Sequence, residues 1–471
     1  MSREQFSLGK CTTALAGVIL TLALWYPGRG VLASQKAGRT DAESYVLEQV
    51  AAGNPALLEE MFPTKEGRRL SGSFIRELLT NRDKRITVHP HGIMIEGAFF
   101  PDGIDLKNEE VSYDVTLRSC QCDGDLDFTQ CRFAKSLAIE GTVFGGDVDF
   151  TLASIGFNFM CDGARFNRPQ QSADTPEVTF NNIKVGGDFS VTNVEFGEQV
   201  NFTQAEITGN YLADDSTFRE SADFNNLKVK SEGYFRRTTF EGPVDFREAS
   251  FTSLFLTDSR FLNTNELVSF ESIRMDTGFL DRTSFEGPVK IEGMTFQNLS
   301  PTSWEKLESL ATRSDYNAEF YSNLELLFRK HGYSDQADAV FIAQSRRARR
   351  ELLNGIAWFW SLLQDLLVGY GRHLERLLLW STVFIFTGFL VFRREAGMKT
   401  KRTDDAELHK NRYSPFWYSL DLFLPVMHLG DADIWTPKDE RRMALVYKRF
   451  HIIIGALFVP IGLAAWTGII K

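Results

Sequence analysis

The sequence predicts a mainly β fold, a four-sided solenoid of about nine coils, followed by a helical connector and two transmembrane helices. A tripeptide of an aliphatic residue or Ala, a polar residue and usually Phe recurs at intervals close to 22 residues, and 25 of the 40 Phe residues lie between 86 and 300. Two uncharged apolar runs of 16 and 19 residues lie near the C-terminus. The composition, 43% hydrophobic and 24% charged, excludes global disorder.

The first 33 residues have the pattern of a secretory signal peptide. Arg3 and Lys10 form a basic start, residues 11–26 form the apolar segment, and cleavage is expected after Ala33. An uncleaved membrane anchor is the alternative. Both interpretations place the residues that follow outside the cytosol.

Residues 34–85 are predicted to form a helical cap at the N-terminal end of the solenoid. Helix-like apolar patterns cover 44–61 and 73–79. Such a cap would cover the first coil, whose unpaired backbone groups otherwise form an open sheet edge.

The repeat itself defines the solenoid, which is predicted to cover residues 86–299. The third residues of the nine tripeptides are Leu106, Phe128, Phe150, Phe180, Phe202, Phe224, Phe246, Phe270 and Ile291. Their spacings are 22, 22, 30, 22, 22, 22, 24 and 21 residues, and the spacing of 30 reflects an insertion of about eight residues around 167–176. Self-similarity at a fixed period of this length is typical of a stacked repeat fold.

Each coil has apolar residues near offsets 0, 5, 9 and 16 from the third tripeptide residue, and all four are predicted to point inward. Offset 5 is occupied by Phe133, Ile155, Val185, Ile207, Val229, Phe251 and Phe296. Offset 9 is occupied by Leu137, Phe159, Phe189, Tyr211, Phe255 and Phe279. Offset 16 is occupied by Phe144, Phe166, Phe196, Phe218 and Phe240, with Phe261 and Phe285 one residue early. An α-helical solenoid would instead need apolar residues at i, i+3, i+4 and i+7.

Several segments, such as 131–144 (CRFAKSLAIEGTVF), resemble degenerate pentapeptide repeats, in which a central Phe or Leu points inward and a small residue two positions earlier packs beside it. The small residues here are Cys131, Thr142, Ala153, Ala164, Ser216 and Ala249. The resemblance to pentapeptide-repeat proteins of the bacterial membrane-anchored type implies a right-handed quadrilateral β-helix over residues 86–299. Steps of six or seven residues, as from Phe144 to Phe150, depart from the regular repeat, so some corners are expected to be looser.

A helical connector is predicted for residues 302–373. Apolar residues at helical spacing begin with Trp304 and Leu307, and Gly332 marks the turn of a helical hairpin. This hairpin is expected to join the solenoid to the membrane.

The C-terminal region, 374–471, is predicted to hold two transmembrane helices, at 377–392 and 452–470. These runs approach or reach the ~20 residues that span a bilayer. The loop between them, 393–450, carries 12 Lys and Arg residues, so the positive-inside rule places it in the cytosol. The basic cluster at 346–350, on the other side of the first helix, disagrees with this orientation.

Within that loop, segment 416–435 resembles the pore segment of two-helix ion channels, because it lies between the membrane helices and begins with aromatic residues and Ser419. In place of the Gly-Tyr-Gly carbonyl ladder of a channel filter it has 424–429 (LPVMHL). A re-entrant or interfacial amphipathic element is therefore predicted. The tetrapeptide VGYG at 368–371 also resembles a filter, but it precedes the first membrane helix and is predicted to be a bend.

No catalytic, cofactor-binding or metal-binding residue is predicted, and the chain is predicted not to be an enzyme, because no nucleophile, zinc-protease or phosphate-loop motif has a suitable context. Four cysteines follow the predicted signal peptide: Cys120, Cys122, Cys131 and Cys161. They occupy different positions in their coils, so no cysteine is expected to stack directly above another, as a disulfide would require. They are therefore predicted to be buried free thiols, with a soft-metal site as the alternative. His89 and His91 are expected in a turn before the first coil.

The charge is divided between acidic and basic parts. Residues 86–300 contain 17 basic and 34 acidic residues, a net charge of −17, whereas the whole chain carries −10. Acidic rods of the pentapeptide class can imitate DNA, but export from the cytosol disfavours that role here. No nucleic-acid partner is expected. No cofactor is expected either, because the sequence has no cofactor-binding motif.

The expected function is a non-enzymatic scaffold or interaction protein, anchored in the bacterial inner membrane, that presents an acidic β-helix rod on the periplasmic side. Its expected partners are the lipid bilayer and a protein that docks on the β-helix face, with homo-oligomerisation through the membrane helices as a further option. The alternative function is a channel-like or transport-like membrane component that uses the two C-terminal helices and the 416–435 loop.

Overall fold

The protein is a parallel β-solenoid of about nine turns followed by C-terminal helices. The computed structural model describes residues 38–82, 84–167, 177–373, 375–401, 413–424 and 429–466. The predicted signal peptide, most of the insertion in the solenoid and His428 lie outside these residues.

Three helices precede the solenoid: α1 (Asp41–Ala52), α2 (Leu58–Met61) and α3 (Gly72–Thr80), with a 3₁₀ turn at Glu66–Arg68. The single helical pattern predicted over 44–61 is divided, because α1 ends at Gly53, which has a positive φ of 74° and caps the helix. The buried Glu43 carboxylate accepts hydrogen bonds from the Ser71 hydroxyl (2.7 Å) and the Thr40 amide (3.1 Å), so it joins the starts of α1 and α3.

The solenoid strands form ladders of parallel pairs, each strand bonded to its equivalents in the neighbouring coils. One ladder contains β4 (Ile104–Asp105), β8 (Leu126–Asp127), β12 (Val148–Asp149), β16 (Glu177–Thr179), β20 (Gln199–Asn201), β24 (Ala222–Asp223), β28 (Val244–Asp245), β31 (Val268–Ser269) and β34 (Val289–Lys290). Another contains β3 (Phe99–Phe100), β7 (Gln121–Cys122), β11 (Val143–Phe144), β15 (Arg165–Phe166), β19 (Glu195–Phe196), β23 (Thr217–Phe218), β27 (Thr239–Phe240), β30 (Arg260–Phe261) and β33 (Ser284–Phe285).

The remaining strands form one larger sheet, in which two ladders merge. Its strands are β1 (Ala56–Leu57), β2 (Ile93–Glu96), β5 (Glu110–Val111), β6 (Val115–Arg118), β9 (Arg132–Phe133), β10 (Leu137–Ala138), β13 (Ser154–Ile155), β14 (Phe159–Met160), β17 (Lys184–Val185), β18 (Phe189–Ser190), β21 (Glu206–Ile207), β22 (Tyr211–Leu212), β25 (Lys228–Val229), β26 (Glu232–Tyr234), β29 (Ser250–Phe255), β32 (Arg274–Phe279) and β35 (Asn298–Ser300). The two ladders join at β29, which pairs with both β25 and β26.

Columns of stacked side chains fill the solenoid. The nine third tripeptide residues, from Leu106 to Ile291, are at most 3% exposed. The offset-16 column, from Phe144 to Phe285, stacks its rings with centroids 4.7–4.9 Å apart. All six small residues predicted to pack beside the column are also buried. The predicted register is therefore confirmed for these positions.

The predicted register is wrong at two positions of offset 9. Phe255 and Phe279 lie on the outer face, and Leu254, which is 1% exposed, takes the inward position. The cause is a shorter step between the inward residues of offsets 5 and 9. This step is four positions along the chain in earlier coils, but it is only three positions from Phe251 to Leu254. The one-residue advance of Phe261 and Phe285 at offset 16 is the sequence signal of the same shortening.

The connector consists of α4 (Trp304–Arg313), α5 (Ala318–Lys330), α6 (Ser334–Glu351) and α7 (Gly355–Val368). The predicted hairpin is confirmed, since α5 and α6 pack together and are separated by a turn at Gly332. One cluster of buried apolar side chains extends from Ala42 in α1, through every coil, to Val340 in α6. The cap, the solenoid and the connector helices α4 to α6 thus share a single hydrophobic core.

Two further helices, α8 (Glu375–Phe392) and α11 (Arg442–Trp466), are long and apolar enough to cross a membrane. Their most apolar windows have mean hydropathies of 1.5 and 1.6, and only 17% and 22% of those windows are buried. Between them lie a 3₁₀ turn (Glu395–Gly397), β36 (Met398–Thr400), α9 (Pro415–Phe423), α10 (Asp431–Ile434) and β37 (Trp435–Pro437). α11 begins before the predicted run at 452–470, because the helix extends back through Met443, Ala444 and Leu445, which are good helix formers.

Candidate functional site

The helices of the C-terminal region form an antiparallel pair. Phe392, at the end of α8, lies against Tyr447 near the start of α11, with ring centroids 5.9 Å apart. Leu377, near the start of α8, packs in one apolar cluster with Phe458 in the second half of α11. The two ends of the pair therefore differ: one carries the 393–441 segment and the other carries the connector and the solenoid.

α9 lies between α8 and α11. Its Tyr418 contacts Phe392 at the loop end of the pair (5.0 Å), and its Phe423 reaches Phe458 farther along (6.2 Å). The chain then returns to the loop end, where β37 pairs antiparallel with β36. The described residues therefore enter and leave at the same end of the pair, and residues 425–428 lie outside the described part of the chain.

Two glycines allow α9 to approach its neighbours closely. A Cβ atom on Gly388 of α8 would lie 2.1 Å from Ser419 Oγ, and one on Gly455 of α11 would lie 2.0 Å from the Phe423 carbonyl oxygen. Small residues at such contacts are typical of helices packed in a membrane, where backbone approach replaces the hydrophobic effect as the source of stability.

A buried polar pair holds the centre of this unit. The Ser419 hydroxyl donates to the Ile385 carbonyl oxygen (2.8 Å), and His451 Nε2 lies 3.0 Å from the Ser419 carbonyl oxygen. Ser419 and His451 are both 0% exposed. Within the described part of the chain, His451 Nδ1 and the Tyr418 hydroxyl have no hydrogen-bond partner. His451 is not among the residues that the sequence singled out, although a histidine directly before an uncharged apolar run is a detectable signal.

Asp421 holds the returning chain. Its two carboxylate oxygens accept hydrogen bonds from the amides of Leu429 (2.9 Å) and Ala432 (2.7 Å), and the side chain is 7% exposed. Lys401 donates to the Ala432 carbonyl oxygen (2.7 Å) from the other side. The Asp421 side chain therefore ties α9 to Leu429 and to the start of α10.

The surface of the solenoid is patterned by charge. Basic side chains pair with acidic ones about one coil away, as in Arg118–Glu140 (2.7 Å) and Arg219–Glu195 (2.7 Å). Because acidic residues outnumber basic ones two to one over 86–300, such pairs leave a large acidic excess on the rod. Exposed pairs contribute little stability, and the unpaired excess gives the solenoid surface a negative electrostatic potential.

An aromatic strip interrupts the polar surface. Tyr234, Phe255 and Phe279 project outward from β26, β29 and β32, and their rings stack with centroids 4.7 and 4.4 Å apart. Arg236 covers Tyr234, with its guanidinium carbon 4.8 Å from the ring centre. The same register position carries Ala138, Met160, Ser190 and Leu212 in the four preceding coils, so the aromatic strip begins at Tyr234.

The prediction of buried free thiols is confirmed. Cys120, Cys122, Cys131 and Cys161 are all buried and unbridged. Burial raises the pKa of Cys120, Cys122 and Cys131 to about 12 and that of Cys161 well above its ordinary value. These thiols are therefore structural rather than nucleophilic.

The remaining predicted motifs lie in turns. His91 donates its backbone amide to His89 Nδ1 (3.2 Å) just before β2. Gly369 ends α7 with a positive φ of 54°, so VGYG forms the bend between α7 and α8. Among the described residues, no group of three or more His, Cys, Asp or Glu side chains is placed to hold a metal ion.

No family model matches the chain, and no significant match was found among curated proteins or among solved structures.

Proposed function

We propose that the protein is a non-enzymatic, membrane-anchored scaffold that presents its acidic solenoid to a protein partner outside the cytosol. The observation that carries this proposal is the single hydrophobic core that joins the cap, all the coils and the connector up to Val340. A body with one continuous core moves as a unit, so it can hold a long charged surface at a fixed distance from the membrane. Its net charge favours a partner with a basic surface.

The connector is fixed to the membrane helices by a compact ion cluster. Arg346 binds the Asp365 carboxylate in a bidentate manner, with Nε donating to Oδ2 and Nη2 donating to Oδ1 (2.9 Å each). Arg349 Nη2 donates to Oδ2 of the same carboxylate (3.0 Å). Asp365 lies on α7, and its backbone carbonyl oxygen accepts a hydrogen bond from Arg376 on α8 (3.2 Å). These contacts link α6, α7 and α8, and so link the rod to its anchor.

For the finer architecture, we infer a right-handed, quadrilateral β-helix of the pentapeptide-repeat type. The parallel ladders, the regular register of inward Phe residues and the small residues beside them support this assignment. The family resemblance also supports a bacterial inner-membrane location.

The proposed orientation places the 393–441 segment in the cytosol and the solenoid in the periplasm. The basic cluster 346–350 does not argue strongly against it, because that cluster lies 25 or more residues before α8, beyond the distance over which flanking charges set topology. Close to the helix ends, the loop side carries more basic residues than the connector side. The loop side includes Arg393, Arg394 and Lys399, whereas the connector side has Arg372 and Arg376.

Reporter fusions test the orientation. An alkaline phosphatase fused after residue 300 is expected to be active, and one inserted within 402–412 is expected to be inactive. Protease added to intact spheroplasts should release a β-rich fragment of about residues 38–350, which keeps the cap and the helices α4 to α6 that share the core of the solenoid. If that fragment appears only after the membrane is permeabilised, the proposed orientation is wrong.

A second function, a channel-like or transport-like component, is favoured by one observation: α9 enters and leaves at the same end of the α8–α11 pair, as pore segments do. The full chain reconstituted in a planar bilayer should then pass a salt-dependent current that Asp421→Asn changes. The absence of current for both proteins, with incorporation shown by flotation, would exclude this function.

A further inference from the structure

The first half of α7 is apolar and exposed. Ile356 is 89% exposed, Phe359 60%, Trp360 59% and Trp358 41%. An exposed patch of this composition is unfavourable in water. Trp and Phe side chains beside a membrane helix are typical of the bilayer interface, where they sit at the level of the lipid headgroups.

The position of α7 fits that environment. α8 starts seven residues after α7 ends, and Trp380 on α8 donates its indole N–H to the Leu366 carbonyl oxygen of α7 (3.3 Å). α7 is thus held against the end of the α8–α11 pair that faces the solenoid.

A basic cavity of about 610 Å³ lies on one side of this junction. It is lined by Trp304, Glu308, Thr312, Tyr321, Ala339, Ile342, Ala343, Arg346, Arg347, Arg349, Arg350, His373 and Arg376. Five arginines against one glutamate give the cavity a positive potential and suit it to an anion.

Not all of these arginines are occupied by protein groups. Arg347 is used internally, since it donates to the carbonyl oxygens of Ala311 and Ser314 and pairs with Glu351. Arg350, by contrast, is exposed and has no ion-pair or side-chain hydrogen-bond partner in the described part of the chain. Among the described residues, Arg376 gives one side-chain hydrogen bond, to the backbone carbonyl oxygen of Asp365. Two guanidinium groups therefore remain for a ligand.

An apolar cavity of about 460 Å³ lies at the same junction. It is lined by Phe341, Trp360, Leu363, Gln364, Leu367, Val368, Tyr370, Gly371, Leu377, Phe458 and Ile461, and so includes residues of both membrane helices. The Tyr370 hydroxyl, at this cavity, accepts a hydrogen bond from Arg349 of the basic cavity (2.8 Å). Side chains of the two cavities are thus in direct contact.

We propose that this junction binds an anionic phospholipid, with its phosphate and headgroup on Arg350 and Arg376 and an acyl chain in the apolar cavity, while α7 lies in the membrane interface. A zwitterionic lipid would bring an ammonium group towards the arginines, so the site discriminates by headgroup charge. This inference rests on the membrane anchoring proposed above.

The test uses the full chain in detergent, titrated with dioctanoyl phosphatidylglycerol, with dioctanoyl phosphatidylcholine and with inorganic phosphate, and binding is read as a shift in the thermal midpoint. We expect saturable binding of phosphatidylglycerol and at least tenfold weaker binding of phosphatidylcholine. The double variant R350Q/R376Q should lose at least tenfold in affinity for phosphatidylglycerol, whereas the control R393Q/R394Q, at the other end of α8, should stay within twofold.

Equal affinity for the two lipids, or an unchanged affinity in R350Q/R376Q, would overturn the proposal. Binding of inorganic phosphate as tight as that of phosphatidylglycerol would overturn it too, since the ligand would then be a free anion.

A second measurement needs no charge variant. Trp360 lines the apolar cavity, so brominated acyl chains bound there should quench its fluorescence. At the same mole fraction in vesicles, brominated phosphatidylglycerol should quench it more than brominated phosphatidylcholine does. The variant W360F should remove this difference. Equal quenching by the two lipids would contradict the site. Flotation of the full chain with vesicles separates the two proposals: failure to float removes the anchoring and with it the lipid site, whereas flotation without lipid preference removes the lipid site alone.

Discussion

At the scale of single residues, an inward and an outward Phe in the same region have different roles. Phe246 is 0% exposed, and its ring stacks on Phe224 (4.7 Å) and Phe270 (5.4 Å). We expect Phe246→Ala to lower the free energy of unfolding by ~3–5 kcal/mol, because it leaves a cavity between coils that cannot collapse.

The matched control is Phe255→Ala, which removes an outward ring and should lower the free energy of unfolding by less than ~1.5 kcal/mol. Urea denaturation of the full chain in detergent measures both values. Similar losses for the two variants would contradict the register of β29.

The buried cysteines give a prediction about pH. In the unfolded chain a thiol has a pKa of about 8.5, whereas burial raises the pKa of Cys120, Cys122 and Cys131 to about 12. The stability linked to these protonated thiols is therefore fully present below about pH 8.5 and decreases as the pH rises towards 12.

At pH 9 we expect iodoacetamide to label these thiols at least 100-fold more slowly in the folded chain than in urea, as counted by mass spectrometry. Rapid labelling of any of them under native conditions would contradict its burial. Cys11, within the predicted signal peptide, is excluded from the count.

At the scale of elements, the packing of α9 depends on the absence of a side chain at Gly388. We expect Gly388→Ala to destabilise the C-terminal region by ~1–3 kcal/mol, because the new Cβ would lie 2.1 Å from Ser419 Oγ and force α9 away. Val383→Ala, at an exposed site of α8, is the control and should have little effect. Thermal unfolding in detergent compares the two, and equal midpoints would show that α9 does not pack on α8 at Gly388.

Elements with strong local patterns were predictable from the sequence, and contacts between distant residues were not. The 22-residue repeat predicted the inward columns, since side chains of successive coils must stack. The shortened step before Leu254 was not predictable, because Leu254 and Phe255 are both apolar and hydrophobicity alone does not show which of them faces inward. The Ser419–His451 pair joins residues 32 apart, and no periodic signal connects them.

At the scale of the whole molecule, the order of the parts was predictable from composition, but their connection was not. From the sequence, the arginines of 346–350 form a basic cluster that disagrees with the orientation predicted by the positive-inside rule. In the structure, Arg346 and Arg349 form ion pairs with Asp365 on α7. Asp365 lies in an apolar stretch, and only the packing of α6 on α7 reveals its partners. The link between the solenoid and the C-terminal helices therefore depends on tertiary structure.

This link should weaken in acid. Burial of Asp365 opposes its ionisation, but the hydrogen bonds from Arg346 and Arg349 outweigh that effect and hold the pKa of the carboxyl below its ordinary value. Its contribution to stability is therefore fully present above about pH 4, the ordinary Asp pKa, and is lost as the pH falls through the lower value of the folded state. Asp365→Asn should reproduce the acid effect at pH 7.

We expect Asp365→Asn to speed tryptic cleavage at Arg349 several-fold, because this side chain is held by Asp365 and becomes accessible when α7 separates, while cleavage within the coils stays unchanged. Glu375→Gln, which removes an exposed carboxylate at the start of α8, is the control and should leave the cleavage pattern unaltered. Cleavage of the Asp365→Asn variant at the wild-type rate would mean that the apolar contacts of α7, and not the ion cluster, hold the solenoid to α8 and α11.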